Sequence, residues 1–369
     1  MREVLTELFP LWAAGRPAAL ATVVATHKSA PMPPGSAMLV TPDDQVAGSV
    51  SGGCVESDVY EVGKQVLCGA GPTRRRYGVS NDDAFAVGLT CGGEIDIFVE
   101  HIDRSTFPEL GEVARAVREH RPVAVATVIG GPAGLRGSRM IVWADTVDGA
   151  IGSAQLDARI AEEARALLAA GYSALTSCSA GDPDSGELQI FINAMTPPPR
   201  LLVFGATDFA AALARIGAAA KYRVSVCDAR TTFTTRDRFP GADDVIVEWP
   251  HRYLDNESAA GRLDARTAVT VLTHDPKFDV PVLTTALRMP QIGYIGVLGS
   301  RRTHADRIER LRSAGLTDRE LTRMSSPLGL DIGASTPSET AISILAEIIA
   351  AKSGRPGGHL QTGTGPIHA

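Results

Sequence analysis

At 369 residues, with 44% hydrophobic and 21% charged residues, the chain is too long for one compact core and predicts a soluble α/β protein of two or three domains. Its formal net charge of −6, with no basic tract longer than Arg74-Arg75-Arg76, excludes a nucleic-acid footprint. No run approaches the roughly 18 to 20 consecutive apolar residues of a membrane span, and Met1-Arg2-Glu3 leads into an amphipathic pattern rather than a signal peptide, so the expected compartment is the cytoplasm.

Residues 1–15 place Val4, Leu5, Leu8, Leu11 and Trp12 at helical spacing, which predicts an amphipathic opening helix. Strands are predicted from Ala18 to Ala25 and from Ala37 to Thr41, joined by an irregular loop through Pro31-Met32-Pro33-Pro34-Gly35. Gly48 to Gly53 then runs into Cys54-Val55-Glu56-Ser57-Asp58-Val59, a periodicity that continues through Val62 and Val66 as a helix. Cys54 therefore sits where a glycine turn, with Gly52 and Gly53, becomes a helix. Unpaired N–H groups and the helix dipole at such a place favour an anion and lower a thiol's pKa. Arg74-Arg75-Arg76 reads as a solvated loop or a helix end. Cys91, followed by Gly92 and Gly93, precedes a strand from Glu94 to Glu100, at an entrance where backbone can approach a ligand closely. If both glycine loops open on one rim, the two thiols face a common cleft.

The chain also contains a worn internal duplication. Residues 35–70 reappear at residues 137–171, offset by 102 and then, past a one-residue gap, by 101. The strand Ala21-Thr22-Val23-Val24 is matched by Ala126-Thr127-Val128-Ile129, and the stretch from Gly93 to Val99 by that from Gly186 to Ile192. In this register Cys54 falls on Gln155 and Cys91 on Asp184, so the shared framework folds without either thiol, and small apolar packing is a weak explanation for them. Five cysteines without CxxC or CxxxxC spacing argue against a disulfide framework, an iron–sulfur site or a zinc finger. Cys68, Cys178 and Cys227 read as plainly buried. The expectation is an N-terminal α+β domain over 1–195, repeated at about 18–100 and 123–195, closed by a Pro-rich linker at 196–200.

From Leu201 the pattern changes to a βαβ opening: strand Leu201-Leu202-Val203-Phe204, Gly205, an alanine-rich helix from Asp208 to Ala220, and a strand from Tyr222 to Cys227 ending in Asp228. Further apolar runs at Asp244 to Val247, Ala268 to Thr273 and Gly293 to Leu298 predict a Rossmann-like, doubly wound parallel sheet over 201–352, followed by a tail at 353–369. Gly205 and Asp228 have the spacing of a dinucleotide fingerprint, but Thr207 and Ala210 replace its later glycines and Asp208 would place a charge beside the phosphates. Asp208 also reads as a helix N-cap. Arg230 is suited to a 2′-phosphate or to a surface acid. His274, with Asp275, ends a central strand and is a candidate proton donor or metal ligand, and Gly299-Ser300-Arg301-Arg302 offers N–H groups, a hydroxyl and two guanidiniums to a phosphate. Pro337 starts a last helix capped by Ser335 or Thr336, with Ile342, Leu345, Ile348 and Ile349 as its buried stripe.

Five motifs in order, Gly48-Ser49-Val50-Ser51-Gly52-Gly53-Cys54-Val55-Glu56, Gly88-Leu89-Thr90-Cys91-Gly92-Gly93, Thr273-His274-Asp275, Tyr294-Ile295-Gly296-Val297-Leu298-Gly299-Ser300-Arg301 and Pro327-Leu328-Gly329-Leu330-Asp331-Ile332-Gly333, resemble the XdhC/CoxI family from about residue 10 to 352. The resemblance implies an accessory protein, not the dehydrogenase itself. Such a protein binds molybdenum cofactor (molybdopterin) and assists its sulfuration and insertion into a xanthine dehydrogenase or CO dehydrogenase-type molybdoenzyme, with a sulfur donor protein as second partner and a homodimer as the expected state. Five cysteines agree, being fewer than the about eight thiolates that two [2Fe–2S] clusters need. Implied cofactor-binding residues are Gly52, Gly53, Cys54, Glu56, Cys91, Gly92 and Gly93, with Gly205, Asp228, Arg230, His274, Asp275, Gly299, Ser300 and Arg301 in the second domain. Cys54 is the implied thiol and contact to molybdenum, and Cys91 the secondary one. The family usually has Gly and His where this chain has Thr207 and Asp208. Two other classes remain open: an NAD(P)-dependent oxidoreductase using His274 as acid/base, and a non-catalytic docking scaffold.

Overall fold

The fold is that of a computed structural model which describes residues 1–28, 30–78, 93–179 and 187–362. Two compact units divide the chain, Met1–Pro197 and Pro198–Gly363.

The first unit is built twice from one plan. Its first half runs α1 (Leu5–Ala13), β1 (Ala18–His27), β2 (Ala37–Val40), β3 (Val46–Gly48), α2 (Glu56–Leu67), β4 (Thr73–Tyr77) and β5 (Glu94–Ile102). The second half runs α3 (Leu110–Arg118), β6 (Val123–Gly130), β7 (Arg139–Val142), β8 (Val147–Gly149), α4 (Ala154–Ala170), β9 (Ala174–Ser179) and β10 (Glu187–Met195). Each half makes a five-stranded antiparallel sheet of the same order, β3-β2-β1-β5-β4 and β8-β7-β6-β10-β9. The duplication thus includes an opening helix, α1 in one half and α3 in the other, which sequence similarity does not disclose. A helix repeats only its apolar stripe, and those two stripes pack together with Leu8, Leu110 and Val113 in one core cluster.

Strand alternation decides which side chains meet. In β1, Ala19, Ala21 and Val23 lie under Val59, Val62 and Val66 of α2, whereas Val24 meets Phe98, Ile129 and Phe191 between the two sheets. An ion pair joins the sheets in the same interior: Arg139 of β7 donates to Glu100 of β5, their side chains 7% and 9% exposed. Burial pushes the Glu100 carboxyl up, against the opposing pull of the Arg139 guanidinium.

Three sequence expectations are corrected in this unit. The tract Arg74-Arg75-Arg76 is neither a loop nor a helix end but part of β4, and Arg74 and Arg76 both bind Asp96, which is fully buried. Cys68 is exposed rather than buried: α2 ends at Leu67, and Cys68 caps it with its backbone N–H, which donates to the Lys64 carbonyl. The strand predicted to end at Ala25 continues to His27, paired with β5 across a bulge between Val23 and Ala25. Cys178 of β9 is buried as expected.

The second unit contains β11 (Arg200–Phe204), α5 (Asp208–Ala219), β12 (Arg223–Asp228), β13 (Asp244–Val247), α6 (Pro250–Ala259), β14 (Ala268–Val271), α7 (Pro276–Leu287), β15 (Tyr294–Val297), α8 (Arg301–Ser313), α9 (Asp318–Leu321), β16 (Met324–Ser325) and α10 (Pro337–Ser353). All strand pairs are parallel, in the order β13-β12-β11-β14-β15-β16. Leu201 and Val203 point to α5 and α10, and Leu202 and Phe204 to α6 and α7, so β11 is covered on both faces as its unbroken apolar run requires. Cys227 of β12 is fully buried, as expected. Two details differ from expectation. Thr207, not Asp208, caps α5. On α10 the buried positions are Ala341, Ser343, Ile344, Leu345, Ile348 and Ala350, while Ile342 and Ile349 are half exposed.

Removing one partner of the inter-sheet ion pair leaves the other charge buried. Arg139→Met is expected to destabilise the protein by about 3–5 kcal/mol, read as a lower urea midpoint, and adding Glu100→Leu to it should restore much of that loss.

Candidate functional site

The cysteine loop of the first unit is organised by Glu56, the first residue of α2. Its Oε1 accepts from the Ser49 hydroxyl at 2.6 Å, the Ser51 N–H at 2.9 Å and the Val50 N–H at 3.3 Å. Its Oε2 accepts from the Gly53 N–H at 2.9 Å, the Val55 N–H at 3.2 Å and the Ser51 hydroxyl. Ser49 Oγ takes the Gly52 N–H at 2.9 Å and Ser51 Oγ takes those of Cys54 and Val55 at 3.0 Å each. Every N–H from Val50 to Val55 is therefore committed to an acceptor of the loop itself. The expectation of unpaired N–H groups beside Cys54 does not hold: the chain's own carboxylate fills the anion position. Burial works against ionisation of Glu56, but the hydroxyls of Ser49 and Ser51 and the backbone donors outweigh it and hold the carboxyl down at about 2.

Gly52 and Gly53 have φ of +76° and +118°, which side chains rarely adopt. Through them α2 begins at Glu56, whereas α4 begins at Ala154, the counterpart of Gly53, behind a Ser153 cap. The start of the first helix is delayed by three residues, and Cys54 is left on the loop. Its thiol is half-buried beside the cluster that holds Ala30 and Val59. Of the second cysteine motif, Cys91 and Gly92 lie outside the described residues, and Gly93 is buried at the entry to β5.

The second candidate set lies along the C-terminal edge of the parallel sheet, where β11 is flanked by β12 and β14 and the chain reverses its winding. Gly205 has φ +120°, and a Cβ there would stand 3.0 Å from the Leu272 carbonyl carbon and the Thr273 nitrogen, so the turn must be glycine to pass β14. Asp228 is 1% exposed. Its carboxylate accepts from the Ala206 N–H at 2.8 Å, the Arg230 N–H at 2.9 Å, and the Arg230 guanidinium at 2.9 and 2.7 Å. Burial raises this carboxyl's pKa, but the Arg230 guanidinium and the two N–H groups outweigh that and hold it below the ordinary range. The acid that would take ribose hydroxyls is spent on its own turn.

Asp275 caps α7 through the Lys277 N–H at 3.0 Å, and Ser300 caps α8 through the Thr303 N–H at 3.1 Å. Between them His274 is exposed, as is Arg301 at the first position of α8. Sequence reasoning misses what supports this edge. Arg307, 3% exposed, donates to Asp279 at 3.2 Å and to the Leu298 carbonyl at 3.1 Å, and Thr273 donates to the same Asp279. No spacing signals that network, because its members sit on α7, on α8 and on the turns that follow β14 and β15. Among the described residues no three His, Cys, Asp or Glu side chains converge on a metal-binding position.

Two family models match this chain. The "XdhC and CoxI family" model covers residues 11–78 and 116–178, taking in the cysteine loop and its counterpart, and the "XdhC Rossmann domain" model covers residues 201–348. The chain belongs to the XdhC and CoxI family. A Bacillus subtilis (strain 168) protein, named as a probable subunit of xanthine dehydrogenase, is 30% identical over 90% of this chain and 92% of its own length. The Escherichia coli (strain K12) molybdenum cofactor insertion chaperone PaoD is 28% identical over 90% of this chain and 83% of its own. The crystal structure of a Bacillus halodurans protein described as a xanthine dehydrogenase superposes with a TM-score of 0.70, covering 97% of each chain at 23% identity, which establishes a shared fold.

The Glu56 geometry carries a pH signature. With its folded pKa depressed from the ordinary 4.5 to about 2, the carboxylate contributes stability that is present above about pH 4.5 and is lost as pH falls towards 2. Glu56→Gln is expected to lower stability by about 1–2 kcal/mol at pH 7 and to flatten the fall in melting temperature between about pH 5 and pH 2.5. At the other unit, calorimetric titration with NADH or NADPH is expected to give no saturable heat, since Asp228 is already saturated.

Proposed function

We propose that this protein is an accessory factor that carries molybdenum cofactor as cargo and assists its sulfuration and insertion into a molybdoenzyme of the xanthine dehydrogenase or CO dehydrogenase type. The names of relatives aligned over 90% of the chain support that reading. The observation that carries it is the Cys54 loop. A turn whose backbone donors are all satisfied internally holds the half-buried thiol, a soft ligand, on a rigid loop. Molybdenum arrives already held by the dithiolene of its pterin, so one protein thiolate suffices where a bare ion would need about three or four ligands. Within the second unit, taken by itself, the turn at Gly299 to Arg301, with its guanidinium exposed, suits an anion such as a phosphate. Cys91 is the second thiol of the proposal. A sulfur donor protein and a molybdoenzyme client are the partners, the protein acts as a homodimer, and its place is the cytoplasm.

The test is cofactor retention. Protein produced in molybdate-replete cells is expected to yield molybdenum by elemental analysis and a fluorescent pterin after oxidative extraction. Cys54→Ala should lose most of both while melting as the wild type does, since the second half-repeat folds with Gln155 at that place. A Cys54→Ala variant that retains cofactor fully would sink the thiol role.

A further inference from the structure

The two half-repeats differ where their sheets meet, and one flank holds a cleft. On one flank Glu100 of β5 pairs with Arg139 of β7, whose guanidinium also donates to the carbonyls of Thr106 and Gly137 and lies over the Phe107 ring. The repeat offsets place Asn193 opposite Glu100 and Ala37 opposite Arg139. On the second flank, therefore, an amide and a methyl stand where the first has a carboxylate and a guanidinium. That flank holds a cavity of about 780 Å³, walled by Met1–Glu3, Val24–His27, Pro33–Ser36, Gly171–Leu175 and Asn193–Thr196, all within the first unit. The size is that of a small-ligand site.

Its chemistry is specific. The buried polar side chains of the lining, Ser36 and Asn193, are both uncharged; of its charged groups, the Met1 ammonium donates to the Gly35 carbonyl, Arg2 donates to the Thr196 carbonyl, and Glu3 is exposed. Asn193 is 7% exposed; its Oδ1 accepts from the Ser173 hydroxyl at 3.3 Å, and Ser173 Oγ accepts the Ala194 N–H at 3.0 Å. That bond fixes the carboxamide's orientation, leaving one lone pair of Oδ1 and the Nδ2 donors, which meet no acceptor among the described residues. Gly35 keeps the floor clear, since a Cβ there would stand 3.0 Å from Ser173 Oγ and 3.3 Å from Asn193 Oδ1. The walls are flat and apolar at Val24, Pro33, Pro34 and Leu175, and Tyr172 stands 59% exposed at the rim.

A fixed carboxamide between apolar walls recognises the amide edge of a neutral planar ring, donating to its carbonyl and accepting its N–H. We propose that this cleft seats a 2-amino-4-oxo heteroaromatic ring, paired with Asn193 and covered by Tyr172. Pterin and guanine share that edge; pterin is the expected occupant, a choice that rests on the cofactor-carrying function proposed above. The loop from β1 to β2 connects the two places, since it walls the cleft at Pro33 to Ser36 and sends Ala30 into the cluster beside Cys54.

Fluorescence titration of the full chain with neopterin and with guanosine tests this. Neopterin is expected to bind saturably and in preference to guanosine. Asn193→Leu, which removes both the donor and the acceptor, should weaken it roughly tenfold or more. Tyr172→Ala, a change at an exposed rim that cannot unfold the unit, should weaken it roughly fivefold or more. Absent neopterin binding, a preference for guanosine, or unchanged affinity in both variants would overturn the proposal. Cofactor retention by a protein that fails to bind neopterin would remove the cleft alone; neopterin binding by a protein that retains no cofactor would remove the carrier function and leave the cleft.

Discussion

A carboxylate reaching back from the first turn of a helix to the loop that feeds it is the interaction on which the first unit depends. Glu56 does this in one half, gathering donors from Ser49 to Val55, and Asp157 does it in the other, accepting from the Ile151 and Gly152 N–H groups at 3.0 and 3.1 Å. A helix start leaves N–H groups without partners, and here an acid supplies them from within. Because the acid holds the turn, the residues on the turn are released from holding it. The second half uses that latitude to start its helix early behind Ser153, and the first half uses it to insert Gly52 and Gly53 and to leave a thiol on the loop.

The second unit applies the same device to a different end. Asp228 ties the Ala206 N–H of the first glycine turn and the Arg230 guanidinium into one closed set. The turn looks like a nucleotide site, yet its own chain occupies the positions that a ligand's hydroxyls would fill. In both units a carboxylate converts a potential anion site into a rigid support.

Duplication followed by divergence places chemistry where symmetry breaks. Two sheets of identical order pack together through equivalent residues, so equivalent flanks would be filled alike. Arg139 and Glu100 pair on one, and Asn193 lines an open cleft on the other.

Signals carried by neighbours in sequence are legible. The period-2 and unbroken apolar runs locate β1, β11 and β13, the glycine turn before Cys54 locates the start of α2, and the internal offset locates both sheets. Signals carried by contacts are not. Cys68 reads as buried from its helical surroundings, but burial depends on which way a helix end points. Arg74-Arg75-Arg76 reads as solvated because the buried Asp96 lies about 20 residues away across a sheet. Ile342 and Ile349 fall in the predicted core because α10 is apolar on more than one side, and only α5 and the sheet decide which side faces inward.

The sequence by itself determined that the first unit is a repeat, that the second is a doubly wound sheet, and that Gly52, Gly53, Cys54 and Glu56 form one motif, because each of these is written in local spacing or self-similarity. Tertiary structure decided what those residues do. It turned Glu56 and Asp228 inward as acceptors, joined Thr273, Asp279 and Arg307 beneath the sheet edge, and opened the flank at Asn193. Hydrogen-bond saturation and void volume are properties of groups brought together from distant positions, and no pattern along one chain records them.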